Sequence, residues 1–117
     1  MPKQSEITYQ TPSQPRQLRL DTIAKCQASC LSCHRFQSNR QGEMGDELLD
    51  RLLKDVSQWQ NPLTEIIPVN YGEFFLREDW YGILTKIVNN LPKTQIVIPT
   101  NGWFLDDNAI DKLAKIP

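Results

Sequence analysis

Three cysteines, Cys26, Cys30 and Cys33, stand close together in a chain of 117 residues, in the run CQASCLSC. The spacing CxxxCxxC lets one loop offer three thiolates to three corners of a cubane cluster. A four-iron, four-sulfur cluster ordinarily takes four cysteines. The chain has no fourth, so a cluster held here would keep one iron open, much as catalytic zinc sites keep an open position and structural ones close it. Other chemistries compete for the same residues. Zinc could be held by the three cysteines with His34, although ligands on the adjacent residues Cys33 and His34 suit a tetrahedral site poorly. Cys30 to His34 also reads CxxCH, a haem-attachment pattern that ordinarily goes with export. A dithiol redox pair or merely structural thiols would be the bland alternative. The spacing favours the cluster, and the other readings stay open at this point.

Two further motifs carry polar groups at defined places. Tyr71-Gly72-Glu73-Phe74 offers a carboxylate beside a residue without a side chain, and Thr100-Asn101-Gly102 offers hydroxyl and amide groups in a turn. Their ordinary readings are an exposed loop carboxylate and a simple turn.

The elements that must position these motifs follow from periodicity. In QLRLDTI, Leu18, Leu20 and Thr22 alternate with Arg19, Asp21 and Ile23, which predicts a strand running into the cysteine loop. From Glu43 to Trp59 the residues Met44, Leu48, Leu49, Leu52, Leu53, Val56 and Trp59 recur at helical spacing. TEIIPVN reads as a second strand, against which Pro68 argues because it cannot donate to a sheet ladder. Trp80, Ile83, Leu84, Ile87, Val88 and Leu91 predict a second helix closed by Pro92. TQIVIP predicts a third strand, and Asp106 or Asp107 can cap a third helix carrying Ile110, Leu113, Ala114 and Ile116. Strands alternating with helices pair in parallel, so the fold class expected is α/β with βαβαβα units. Functional loops of such sheets lie beyond the carboxyl ends of the strands, so all three motifs should share one face.

Composition narrows the setting. With 39% hydrophobic and 23% charged residues the chain is an ordinary globular mixture, long enough for one core without disulfides. A net charge of -1 supplies no basic footprint, so a nucleic-acid partner is not expected. No apolar run approaches the roughly 20 residues of a membrane span, and the first residues lack the apolar stretch of a signal peptide. A cytoplasmic protein without membrane association is therefore expected, which favours metal or redox chemistry over disulfides for a crowded, odd set of cysteines. Residues 1–16, rich in Gln, Ser and Pro, read as a flexible N-terminal arm. Lys25, Arg35 and Arg40 around the cysteine loop read as solvated charge.

A strand ending in CxxxCxxC, a Gly-Glu step after the second strand and Thr-Asn-Gly after the third together resemble the radical S-adenosylmethionine (radical SAM) superfamily, from about Leu18 to the C-terminus. The resemblance implies about half of a (β/α)6 partial TIM-type barrel, with residues 17–117 as the N-terminal part of a core domain that is cut short. It implies that Cys26, Cys30 and Cys33 hold a 4Fe-4S cluster whose open iron is chelated by the amino and carboxylate groups of S-adenosylmethionine (SAM). Gly72 and Glu73 match the family's Gly-Gly-Glu-Pro motif, which contacts the methionyl amino group, while Tyr71 and Phe74 depart from it. Ser32 stands where the family favours an aromatic residue near the adenine, leaving its backbone to bond the base, and Thr100 and Asn101 would shape the pocket floor. The implied activity is reductive cleavage of SAM to a 5′-deoxyadenosyl radical that takes hydrogen from an unidentified peptide, protein or small molecule. An electron donor such as flavodoxin or ferredoxin goes with it. The alternative from another class is a non-catalytic, cysteine-rich module holding zinc or an iron-sulfur cluster.

Overall fold

A computed structural model describes residues 14–31 and 42–117 of the chain. The described elements follow the expected order: strand β1 (Gln17–Arg19), helix α1 (Asp46–Ser57), strand β2 (Glu65–Ile67), helix α2 (Trp80–Asn90), strand β3 (Gln95–Ile96) and helix α3 (Asp107–Ala114). The strands form one parallel sheet in the order β1-β2-β3, with Leu18 opposite Ile66 and Ile66 opposite Ile96. Sequential order with a helix in each crossover is the winding of a barrel wall rather than of a doubly wound sheet. It makes an open, partial TIM-type barrel segment.

Side-chain period decides where the core lies. Leu20 and Ile66 point to the face covered by the helices, where they join Leu49, Leu53 and Val56 of α1 and Ile83, Leu84 and Ile87 of α2. The opposite face carries Gln17, Arg19, Glu65 and Gln95 around a buried Ile67. Gln17 donates to the Glu65 carboxylate there. One side of the sheet is thus an apolar seat for helices, and the other is largely polar.

Several boundaries differ from the periodicity, each for a local reason. β2 ends at Ile67 because Pro68 has no N–H for the ladder, and its carbonyl instead accepts from the Thr22 hydroxyl. α1 begins at Asp46, since Glu43 is spent on an antiparallel bridge with Ile23. Leu48 is exposed on that helix, outside the stripe that Leu49, Leu53 and Val56 bury. In α3 the buried residue is Ala109, while Ile110 and Ala114 face outward. Asp106 caps that helix, accepting from Ala109 N at 2.8 Å. Of the N-terminal arm, residues 1–13 lie outside the described residues; Gln14 Oε1 accepts from Asn61 N at 3.0 Å and the Arg16 carbonyl from Thr64 N at 2.8 Å.

The link between sheet and helices beside the cysteine loop is Arg77, which is nearly fully buried. Its Nη1 donates to the Thr22 carbonyl at 2.7 Å, while Nε and Nη2 hold both oxygens of Asp79 at 2.6 and 3.1 Å. A forked guanidinium-carboxylate pair of this kind fixes direction as well as distance. Lys86 of α2 reaches Asp50 of α1 at 2.9 Å, an exposed pair of smaller consequence.

Arg77→Met removes a buried donor and should lower the unfolding free energy by about 1–3 kcal/mol in urea titrations. The hydrogen bond from Arg77 also holds the Asp79 carboxyl below its ordinary value of 3.8. A folded value below the unfolded one means that the contribution is complete above the ordinary value and is lost as pH falls through the lowered one. Between about pH 5 and about pH 2, wild-type stability should therefore fall more steeply than that of Asp79→Asn. Equal slopes would show that the pair does not contribute.

Candidate functional site

The cysteine loop leaves and re-enters the fold at a narrow neck. Ala24 N donates to the Gly42 carbonyl and Met44 N to the Thr22 carbonyl, both at 2.8 Å, so residues 22–24 lie antiparallel to 42–44. Thr22 at this neck is completely buried. Its carbonyl takes two donors, Met44 N and Arg77 Nη1, and its hydroxyl ties the neck to Pro68 at the end of β2. The loop between the two arms of the neck carries Cys26, half-buried, and Cys30, exposed, both as free thiols. Ser32, Cys33, His34, Arg35 and Arg40 lie outside the described residues. Among the described residues no three His, Cys, Asp or Glu side chains gather into a metal-holding group.

Gly72 packs directly on this strand end. A Cβ at Gly72 would lie 2.3 Å from the Ile23 carbonyl oxygen and 2.9 Å from that of Lys25, distances no side chain tolerates. Glu73 N then donates to the Lys25 carbonyl at 2.8 Å, one residue before Cys26. The Glu73 side chain, expected on its ordinary reading to be exposed, is 1% exposed. Its Oε1 accepts from the Thr100 hydroxyl, and among the described residues no other donor reaches the carboxylate. The chain after Glu73 is locked by a 3-10 turn over Phe74–Leu76 and by edge-to-face contacts of Phe74 with Phe75 and Phe75 with Trp80.

The third motif closes the group. Gly102 adopts a positive φ of 79°, which glycine takes without steric cost, and the turn aims Gly102 N at the Thr100 hydroxyl at 3.1 Å. Asn101 Oδ1 accepts from Trp103 N and from Gln27 Nε2, each at 3.0 Å, and Asn101 Nδ2 lies 3.8 Å from Cys26 Sγ. Cys26, Gly72, Glu73, Thr100 and Asn101 are therefore brought together at the carboxyl ends of the three strands. Gln27, Thr22 and Arg77 also belong to this junction and were not singled out by sequence reasoning. Gln27 had one available signal, its position beside a cysteine, but its partner lies 74 residues away. A groove of about 490 Å³ between α2, β3 and α3 includes none of these residues.

No protein-family model matches the chain. A probable GTP 3',8-cyclase from Methanothermobacter marburgensis is 31% identical over 94 residues, which is 80% of this chain and 30% of the cyclase. The crystal structure of BtrN in complex with AdoMet and 2-DOIA superposes with a TM-score of 0.81 at 21% identity, covering 91% of this chain and 44% of BtrN. Selenomethionine BtrN in an open conformation superposes with a TM-score of 0.78 at 20% identity, over 91% of this chain and 48% of that one. At such identities the likeness to BtrN is one of fold. In sequence and in fold the chain resembles the radical SAM superfamily. The chain spans less than a third of the curated relative and under half of the BtrN structures.

Gly72→Ala places a methyl group inside backbone contact distance of the loop neck. It should lower stability by about 1–3 kcal/mol or more, read from the thermal midpoint, because carbonyl oxygens of a buried neck cannot swing aside. A variant as stable as wild type would mean that the two strand ends are not in contact.

Proposed function

We propose that residues 17–117 are the N-terminal part of a radical SAM core that binds a 4Fe-4S cluster and SAM, with residues 1–16 as an arm outside it. One observation carries the reading: a buried Glu73 carboxylate, satisfied among the described residues by a single hydroxyl, stands one backbone hydrogen bond from the start of the cysteine loop. A buried carboxylate with so few donors costs free energy unless a cation joins it. The ammonium group of an amino acid moiety is such a cation, and it would add a charge-assisted bond. The donor set suits the cluster as well, since Cys26 and Cys30 are free thiols on a loop whose neck is fixed.

In this reading Cys26, Cys30 and Cys33 would hold the cluster, and the methionyl end of SAM would bind beside it. Glu73 accepts from the amino group, held in direction by Thr100, and Gly72 lets the backbone of that segment close on the loop. Thr100 and Asn101 line the pocket floor, and the backbone of Ser32 bonds the adenine. A cluster held there would supply the single electron needed for reductive cleavage of SAM, the chemistry that would make hydrogen abstraction from a substrate possible. The protein's part is orientation and exclusion of water around that event. The electron comes from a small reductant protein such as flavodoxin or ferredoxin. The substrate, a peptide, protein or small molecule, approaches from the end of the sheet where the loops converge. No helix among the described residues is long and apolar enough to cross a membrane, and the setting proposed for the protein is the cytoplasm.

Anaerobic reconstitution of the full chain with iron and sulfide should give an oxygen-sensitive brown protein with about four irons and four sulfides. Cys30→Ala should lose the cluster. One zinc without sulfide would overturn the reading in favour of a non-catalytic metal module. Glu73→Gln keeps the acceptor for Thr100 and removes the charge, so it should preserve the cluster and weaken SAM binding about 10- to 100-fold by calorimetry. Unchanged affinity would remove Glu73 from the SAM site.

A further inference from the structure

We propose that Asn101 is a positioning residue for the Cys26 sulfur: its side-chain amide donates an N–H···S hydrogen bond that steadies the sulfur and its negative charge when Cys26 ligates a metal. Asn101 Nδ2 lies 3.8 Å from Cys26 Sγ, although the residues are 75 positions apart. What gives this contact its meaning is the other end of the amide. Asn101 Oδ1 accepts from the backbone N–H of Trp103 and from Gln27 Nε2. A backbone N–H can only donate, so the oxygen must face Trp103 and the nitrogen is left to face the sulfur. Turning the amide over would lose both bonds and set an oxygen against the sulfur. The left-handed Gly102 makes the turn that brings the Trp103 N–H to Asn101.

Gln27 completes a small ring, with Oε1 3.8 Å from the same sulfur. That oxygen suits a thiol, which can donate its hydrogen. Metal ligation removes the thiol proton, and Asn101 then remains as the donor of the ring to a thiolate, a charge-assisted bond stronger than its neutral counterpart. For an iron-sulfur cluster, hydrogen bonds to the sulfurs are one of the levers that set the reduction potential. They favour the reduced, more negative state and so raise the potential. Asn101 would act through Cys26, in addition to any contact with SAM. The potential effect rests on the radical SAM reading above, whereas the hydrogen bond needs only a metal on Cys26.

Two readouts separate the inference from that reading. In the full chain loaded with cadmium-113 and labelled with nitrogen-15, scalar coupling should run from the metal through Cys26 Sγ to the Asn101 side-chain amide protons. It should vanish in Asn101→Leu, which has similar volume and no donor. In the iron-sulfur form, the midpoint potential should shift downward in Asn101→Leu at unchanged iron and sulfide content. It should shift further downward in Asn101→Asp, which keeps the acceptor for Trp103 and Gln27 but faces the sulfur with a carboxylate oxygen. Absence of coupling to Asn101 in the wild type, or potentials equal in all three proteins, overturns the inference. If the wild type takes zinc and no sulfide, the radical SAM reading fails and the cadmium coupling still decides the role of Asn101.

Discussion

Everything at the loop end of this fold depends on the contact between Gly72 and the backbone of residues 23–25. Neighbouring strands of a sheet ordinarily stand about 4.8 Å apart. Past the last ladder bonds of β1 and β2, the packing leaves no room for a side chain at position 72, where a Cβ would meet the Ile23 and Lys25 carbonyl oxygens. That approach lets Glu73 N bond the Lys25 carbonyl, and it sets the start of the cysteine loop against the Gly-Glu step through main-chain atoms alone. Side chains can change rotamer; a backbone hydrogen bond beside a glycine contact leaves much less freedom.

The buried polar side chains among the described residues, Thr22, Glu73 and Arg77, all lie at this junction. Two of them are bound closely into the fold. Thr22 bonds Pro68 and receives Met44 and Arg77, and Arg77 is held by Asp79, whose hydrogen bond pushes the guanidinium pKa up further. Glu73 differs, being just as buried and served by Thr100 alone among the described residues. A satisfied buried group is read most simply as structural, and an undersatisfied charge as a place for a ligand. The contrast separates the residues that hold the neck from the residue on which the proposed SAM site rests.

Much of the fold was legible because its elements are built on local periods. Leu49, Leu53 and Val56, or Ile83, Leu84 and Ile87, recur at helical spacing and lie on the buried faces of α1 and α2. Element ends were read less well, since they are set by partners from elsewhere. Glu43 fits the helical pattern yet pairs with Ile23, and Ile110 fits the stripe of α3 while Ala109 is the residue that meets the core. Of the candidate site, the sequence displays the types and order of the motifs. The site was not legible in Gln27 or Arg77, whose neighbours in sequence carry no sign of their partners.

By itself, then, the sequence determined the donor set and its order: thiols at fixed intervals, a carboxylate beside a glycine, an amide in a turn, each following a strand. These depend on bonds between nearby residues. Only the tertiary structure decided that Glu73 is buried, that Thr100 is its donor, and that Asn101 reaches across to Gln27 and Cys26. The physical reason is the parallel register, which sets Gln17 beside Glu65 and Glu65 beside Gln95 across long helical crossovers. Contacts at the strand ends inherit that register, and no local pattern encodes it.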